Sequence, residues 1–214
     1  KDIEPVKLSI IEDIFRVTDQ FIKYDNIIIT GSFLDKGFQF NDIDILIIAD
    51  DTIKENDLRK AIEEKINIKI HIILLSNKIL IKGLSADPLY NMMLSRCISK
   101  KRLIYNVKTK INYKLLDLHL LKSKTLIDNF DIIGGNEKYY FTRNIIAINS
   151  YVKKEKIGKE KIDNKIKKLF NIQNIKEIKQ NILDKNNFLK EYKKIYKETF
   201  NLIMKGIENG SKQK

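Results

Sequence analysis

Two short runs of β-branched residues, NIIIT at 26–30 and DIDILIIA at 42–49, constrain this chain more than anything else in it. Each is too short and too branched to be a stable helix, and each suits a pleated, buried strand. The second run alternates, so Ile43, Ile45 and Ile47 fall on one face while Asp42, Asp44 and Leu46 fall on the other. Between the runs lie Gly31-Ser32 and a loop containing Gly37, so the chain turns and the second strand returns beside the first.

Helical spacing surrounds this pair. Residues 8–24 place Ile10, Ile11, Ile14, Phe15, Val17, Phe21 and Ile22 near one face, with Ser9 and Glu12 spaced as a capping box. An exposed helix is predicted over 53–65, a third strand over 66–74 and a helical segment over 75–83. Asp87-Pro88 opens a further helix through about residue 98, and Cys97 is expected to be a buried, inert thiol in it. After about residue 105 only helical patterns remain, at 112–129, 138–156, 160–170, 174–182 and 187–208, separated by Gly134-Gly135, Gly158 and Asn-rich turns. The expected class is α+β: a small mixed sheet with flanking helices over 1–107, then an all-α bundle over 108–214. At 43% hydrophobic residues either part can bury a core.

Charge separates the same two parts. Residues 1–100 carry a net charge of −2 and residues 101–214 carry +15, together the +13 of the chain. An asymmetry of this size points to two regions with different work. Isoleucine, lysine and asparagine are all abundant, so part of the positive charge reflects composition bias. A single Cys and two His (His71 and His119) give no disulfide framework and no zinc site. No apolar stretch reaches a membrane span of about 20 residues and no signal-peptide pattern opens the chain, so a cytoplasmic protein with no membrane partner is expected.

The residues with most chemical content lie in GSFLDKGFQFNDIDILII. A Gly turn after a buried strand lets backbone approach a ligand, and Ser32 would open a helical turn whose free N–H groups and hydroxyl can hold phosphate oxygens. After nine intervening residues, Asp42 and Asp44 sit two apart on a strand. A divalent cation relieves their repulsion, and Mg²⁺ prefers a few carboxylates completed by substrate phosphates. Next to a phosphate cradle, such a pair suits metal-assisted phosphoryl or nucleotidyl transfer.

Gly-Ser followed at this spacing by Asp-x-Asp resembles the polymerase-β nucleotidyltransferase superfamily, over residues 8–75. Asp87-Pro88-Leu89-Tyr90 looks like the tail of its small members. The resemblance implies that Gly31 and Ser32 hold the triphosphate of an NTP, with ATP the first expectation, and that Asp42 and Asp44 bind Mg²⁺ or Mn²⁺. A hydroxyl would then attack the α-phosphate and release pyrophosphate. The family usually carries a third carboxylate on the strand after the helix. Here the facing positions are Lys69 and His71, or, with the register slipped, isoleucines. His71 could act as a base, and Lys69 could neutralise phosphate or pair with an aspartate. Asp50 and Asp51 lie too far along the strand to substitute.

In the basic half, lysines interleave with aromatics as nucleic-acid surfaces do. The candidates are Lys138, Tyr139, Tyr140, Arg143, Tyr151, Lys153 and Lys154, with a second group at Lys165, Lys167 and Lys168. Arg143 is one of five arginines. No Arg is followed four to six residues later by His, and His119 stands in the apolar LLDLHLL, which argues against a helical ribonuclease. The leading expectation is a transferase moving NMP from an NTP to a hydroxyl of RNA, with tRNA one candidate. The alternatives are an inactive nucleotidyltransferase fold that binds nucleic acid or a protein, and a toxin–antitoxin enzyme acting on a partner protein.

Overall fold

The computed structural model describes residues 3–50 and 54–211; Asp51 and residue 53, where the second helix was expected to begin, lie outside the described residues. The chain is α+β, with a four-stranded mixed sheet and a helical C-terminal region. It divides into two compact units. One runs to Leu84 and resumes over Arg96–Lys108; the other comprises Ser85–Ser95 and everything from Thr109. The segment 85–95, expected to belong to the N-terminal part, thus falls in the helical unit.

In the N-terminal unit, helix α1 (Pro5–Phe21) leads to β1 (Asn26–Thr30), a 3₁₀ turn (Ser32–Leu34), β2 (Ile43–Ile48), α2 (Glu55–Ile66) and β3 (Ile70–Leu75). Next come α3 (Asn77–Ala86) and, after α4 (Pro88–Leu94) of the other unit, the two-residue β4 (Ile98–Ser99). The strand order is β3-β2-β1-β4; β2 pairs antiparallel with β1 and parallel with β3, and β4 pairs antiparallel with β1. One sheet face gives Ile27, Ile29, Ile43, Ile45, Ile47, Ile70 and Ile72 to a core shared with Ile11 and Ile14 of α1 and Leu58 and Ile62 of α2. The alternation read from 42–49 therefore holds, with Asp42 one residue outside the strand.

Several boundaries differ from expectation, each for a local reason. Helix α1 starts at Pro5, whose fixed φ and missing N–H suit a first turn. Ser9 and Glu12 are consequently inside the helix and form no capping box. Residues 66–69 are not strand: Asn67 ends α2 in the left-handed region at φ 53°, and the Glu63 carboxylate accepts from the Ile70 N–H at 2.9 Å, tying the helix end to the start of β3. The helix after Asp87 stops at Leu94, so Cys97 is half-buried in the link to β4 and not in a helix. Strand β4 was not expected. Asn26 extends its pairing, its side chain accepting from Lys101 N–H and donating to Lys101 C=O, both at 2.9 Å.

The loop after the 3₁₀ turn is anchored to α1. Lys7 has no solvent exposure, and its ammonium donates to the carbonyls of Asp35 (2.5 Å) and Gly37 (2.6 Å) and pairs with Glu4 at 3.1 Å. Phe33, Phe38 and Phe40 lie around it at 5.4–5.7 Å, within cation–π range. Glu4 completes the clamp by accepting from the Gly37 N–H at 2.6 Å.

In the helical unit α4 is joined by α5 (Tyr113–Asp128), α6 (Gly135–Val152), α7 (Lys159–Phe170), α8 (Lys176–Lys179) and α9 (Lys185–Ser211). Asp87 caps α4 by accepting from Leu89 N–H, and Asn112 caps α5 by accepting from Leu115 N–H. Helix α6 is the centre, packed against α4, α5, α7, α8 and α9. It begins three residues before the expected 138, where a Cβ on Gly135 would stand 2.1 Å from the Lys179 carbonyl oxygen.

Lys7→Met should keep the aliphatic bulk but leave Glu4 and two carbonyls without their donor, lowering stability by about 2–4 kcal/mol in urea denaturation. The Gly37 N–H, the carboxylate's own backbone and Lys7 together pull the Glu4 pKa down from 4.5 to about 2. A depressed carboxylate stabilises the fold fully above its unfolded pKa and loses that contribution as pH falls toward its folded one. Stability measured between pH 5 and about 2 should therefore fall less steeply in Glu4→Gln than in the wild type.

Candidate functional site

Gly31 stands between β1 and the 3₁₀ turn at φ 85° and ψ −162°, a conformation that side-chain-bearing residues rarely adopt. It is also crowded. A Cβ built on it would lie 2.1 Å from Asp44 Oδ2 and 3.0 Å from Asp44 Cγ. The Asp44 carboxylate is thus packed against the bare backbone of the Gly-Ser turn, which is the juxtaposition the spacing of the two motifs suggested. Ser32 opens the 3₁₀ turn as expected, with its carbonyl accepting from Asp35 N–H at 2.9 Å. Ser32 is half-buried.

Strand register then sets a row across the sheet. Thr30 pairs with Asp44, and Asp44 pairs with His71, so the three side chains share the face opposite the isoleucine core. Of the two registers open in the sequence, the structure has the one that brings His71 and not an isoleucine to Asp44. His71 Nδ1 lies 3.3 Å from Asp44 Oδ1, with the His side chain 62% exposed and the Asp side chain 33% exposed. Both groups can therefore be reached from solvent. Asp42 is half-buried just ahead of β2, where the Ile43 N–H bonds to the Lys69 carbonyl at 3.0 Å. Lys69 is exposed, and the structure gives its ammonium no contact with Asp42 or Asp44 among the described residues. Asp50 follows β2 at the far end from Asp44, and Asp51 lies outside the described residues.

Two further residues shape this end of the sheet, and sequence reasoning missed both. Arg96 donates to the Asp35 carboxylate at 2.9 Å and to the Leu34 carbonyl, bracing the 3₁₀ turn from the β4 side. Lys7 braces the same loop from α1. No local pattern marks Arg96. Lys7 could have been found, because it lies in step with Ile11, Ile14 and Thr18 on the buried stripe of α1.

The donor set suits a hard cation in part. Asp42 and Asp44 are the oxygen ligands Mg²⁺ favours, with substrate phosphates and water completing its shell. Among the described residues no three His, Cys, Asp or Glu side chains stand together as a metal-holding group.

The structure separates the basic candidates of the helical unit. Lys138 is 3% exposed, its ammonium over the Phe130 ring at 3.6 Å and bonded to Asn181, and burial pulls its pKa down. It is an interior residue and no surface contact for nucleic acid. Tyr139 and Tyr151 are also buried, donating to Asp163 Oδ1 and to the Ser85 carbonyl. Arg143 is half-buried, 5.3 Å from the ring centre of the exposed Tyr140. Lys153 is exposed and pairs with Glu198 at 2.6 Å, and Lys165 pairs with Glu155. Lys154 and Lys168 are exposed and Lys167 half-buried. His119 pairs with Asp87 at 3.1 Å, both largely buried.

No protein-family model matches this chain, and no curated protein shows significant sequence similarity to it. No helix among the described residues is long and apolar enough to cross a membrane.

Gly31→Ala should cost at least about 2 kcal/mol, from the backbone conformation and the clash with Asp44. In an Asp44→Ala background the contacts with the carboxylate are gone and the backbone cost remains, with a Cβ–Cβ approach of 3.3 Å. A double-mutant cycle by urea denaturation should therefore give a coupling of about 1 kcal/mol or more between the two sites.

Proposed function

We propose that the N-terminal unit is a polymerase-β-like nucleotidyltransferase domain, which moves NMP from an NTP to a hydroxyl of RNA. The observation that carries this reading is the packing of the Asp44 carboxylate against Gly31. It sets an acidic, cation-ready group beside a turn whose bare backbone can approach a triphosphate closely. The Gly31-Ser32 turn binds the β- and γ-phosphates through N–H groups and the Ser32 hydroxyl, an arrangement favoured where free amides converge. Asp42 and Asp44 would hold Mg²⁺ or Mn²⁺, which when bound neutralises phosphate charge and polarises the α-phosphorus.

In the transfer, the acceptor oxygen bonds to the α-phosphorus as the bond to the bridging α–β oxygen breaks, and pyrophosphate leaves. The acceptor hydroxyl must lose its proton. His71 is the group placed to take it: Asp44 faces Nδ1, which orients the ring and leaves Nε2 as the acceptor. Lys69, exposed at the start of β3, is free to meet the outer phosphates.

A second reading is favoured by one observation: the position beside Asp44 on β3 is filled by His71, where the superfamily usually has a carboxylate. On that reading the fold has lost turnover and serves as a binding subunit. The two separate in one experiment. Labelled NTPs with Mg²⁺ or Mn²⁺ and bulk RNA should give label in RNA with wild type. Asp42→Asn and Asp44→Asn should lose at least about 100-fold while keeping their thermal transition, a loss in keeping with removing a group that stabilises charge in the transition state. His71→Ala should lose about 100-fold in kcat, the usual worth of a positioned base. Folded wild type that transfers no label and binds no NTP would sink the transferase and leave the subunit.

A further inference from the structure

The longest helix carries an exposed line of lysines. The buried residues of α9 recur as Phe188, Tyr192, Ile195, Thr199 and Ile203. Two residues after each, about 200° around the helix, stand Lys190, Lys194, Lys197, Asn201 and Lys205, all exposed. The solvent-most line of α9 is therefore four lysines and an asparagine; Glu191 and Glu198, the latter paired with Lys153, flank one edge of it and the exposed Lys193 the other. At 1.5 Å per residue the line is about 22 Å long. None of these lysines forms an ion pair among the described residues, whereas Lys153, Lys165 and Lys185 each have an acidic partner. Like charges at i, i+3 and i, i+4 work against the helix that bears them, and a polyanion laid along the line removes that repulsion.

A second feature identifies the polyanion. Phe200 is 41% exposed, one turn from Lys197 and at the edge of the line. An exposed ring beside a row of ammonium groups is what an unstacked base and its phosphates require together. We infer that the outer face of α9 binds single-stranded RNA, its lysines following the phosphates and Phe200 stacking on a base. This places the RNA surface on α9 rather than at Lys138, Arg143, Lys153 and Lys154, the residues picked from the sequence, of which Lys138 is buried. It rests on the proposed function only in taking RNA as the acceptor, and its test uses neither nucleotide nor metal.

The experiment is anisotropy of a labelled single-stranded RNA titrated with the full chain from about 50 to 300 mM salt. Replacing Lys190, Lys194, Lys197 and Lys205 by Gln should flatten the log–log salt dependence by about 3, since each phosphate contact on a single strand contributes about 0.7. Phe200→Ala should weaken binding about tenfold and leave the salt slope unchanged. The control removes the same charge elsewhere, with Lys114, Lys122, Lys124 and Lys176 changed to Gln, and should retain the wild-type slope. Circular dichroism verifies that each variant is helical. Wild type that fails to bind RNA, a stripe variant with the wild-type slope, or a control that loses as much would each overturn the inference. Phe200→Ala binding like wild type, or stripe-dependent binding to anionic vesicles with none to RNA, would overturn the assignment to single-stranded nucleic acid. If transfer activity is absent while the stripe effects are present, the transferase fails and this surface stands.

Discussion

A lysine side chain withdrawn from water organises the end of the sheet that carries the proposed site. An ammonium group has three protons and no lone pair, so burying Lys7 is tolerable only if all three find acceptors. They do: two backbone carbonyls of the loop and the Glu4 carboxylate, within a surround of three phenylalanine rings. Both carbonyls belong to the segment between Gly31 and Asp42. The path of that segment decides where Ser32 and Asp42 stand relative to each other. Arg96 holds its beginning from the other side, through Asp35 and the Leu34 carbonyl. The loop between the two motifs is therefore fastened by charge-assisted hydrogen bonds at both flanks, which are stronger than neutral ones.

The helical unit is organised differently. Its core is continuous from Leu116 and Leu120 through Ile145, Ala147 and Ile148 to Tyr192 and Ile203, and the few buried polar groups bond within it. Asn149 donates to Thr199 at 3.0 Å, and Tyr192 donates to the Ser123 carbonyl at 2.8 Å. Phe188 is stacked between Phe170 and Tyr192. These directional contacts orient α9 about its own axis, and so decide which residues of it face water. The lysine line is external because the opposite side is held by an aromatic stack and two hydrogen bonds.

The sheet was legible because β-branched runs of five or six residues have few other uses, and its core face followed from their alternation. The Gly-Ser turn and Asp44 were legible as a pair because only glycine fits where the structure puts Gly31. What escaped was governed by position, not residue type. Lys7 and Lys138 look like surface residues by composition, yet each lies on a buried helical stripe, in step with Ile11 and Ile14 in one case and with Thr142 and Ile145 in the other. Strand β4 escaped because two residues have no period; its place is set by Asn26, 75 positions away from Lys101. The start of β3 was misplaced because Ile66 and Ile68 look like strand residues until the left-handed turn at Asn67 is known.

The path of the chain between the two units has a consequence for how the protein is made and dissected. The backbone passes from the first unit to the second after Leu84, returns at Arg96 and leaves again after Lys108. On a ribosome, β1 waits until residue 99 has emerged before its second edge is covered, and α4 emerges before any of the helices that complete its core. Both units are thus discontinuous in sequence, so a cut at residue 107 would not divide the protein into two self-sufficient pieces. An N-terminal fragment would keep its whole sheet but carry α4 stripped of its packing partners, while a C-terminal fragment would lack one wall of the bundle. Probing the two units separately calls for substitutions within the intact chain, because no single scissile point follows the structural boundary.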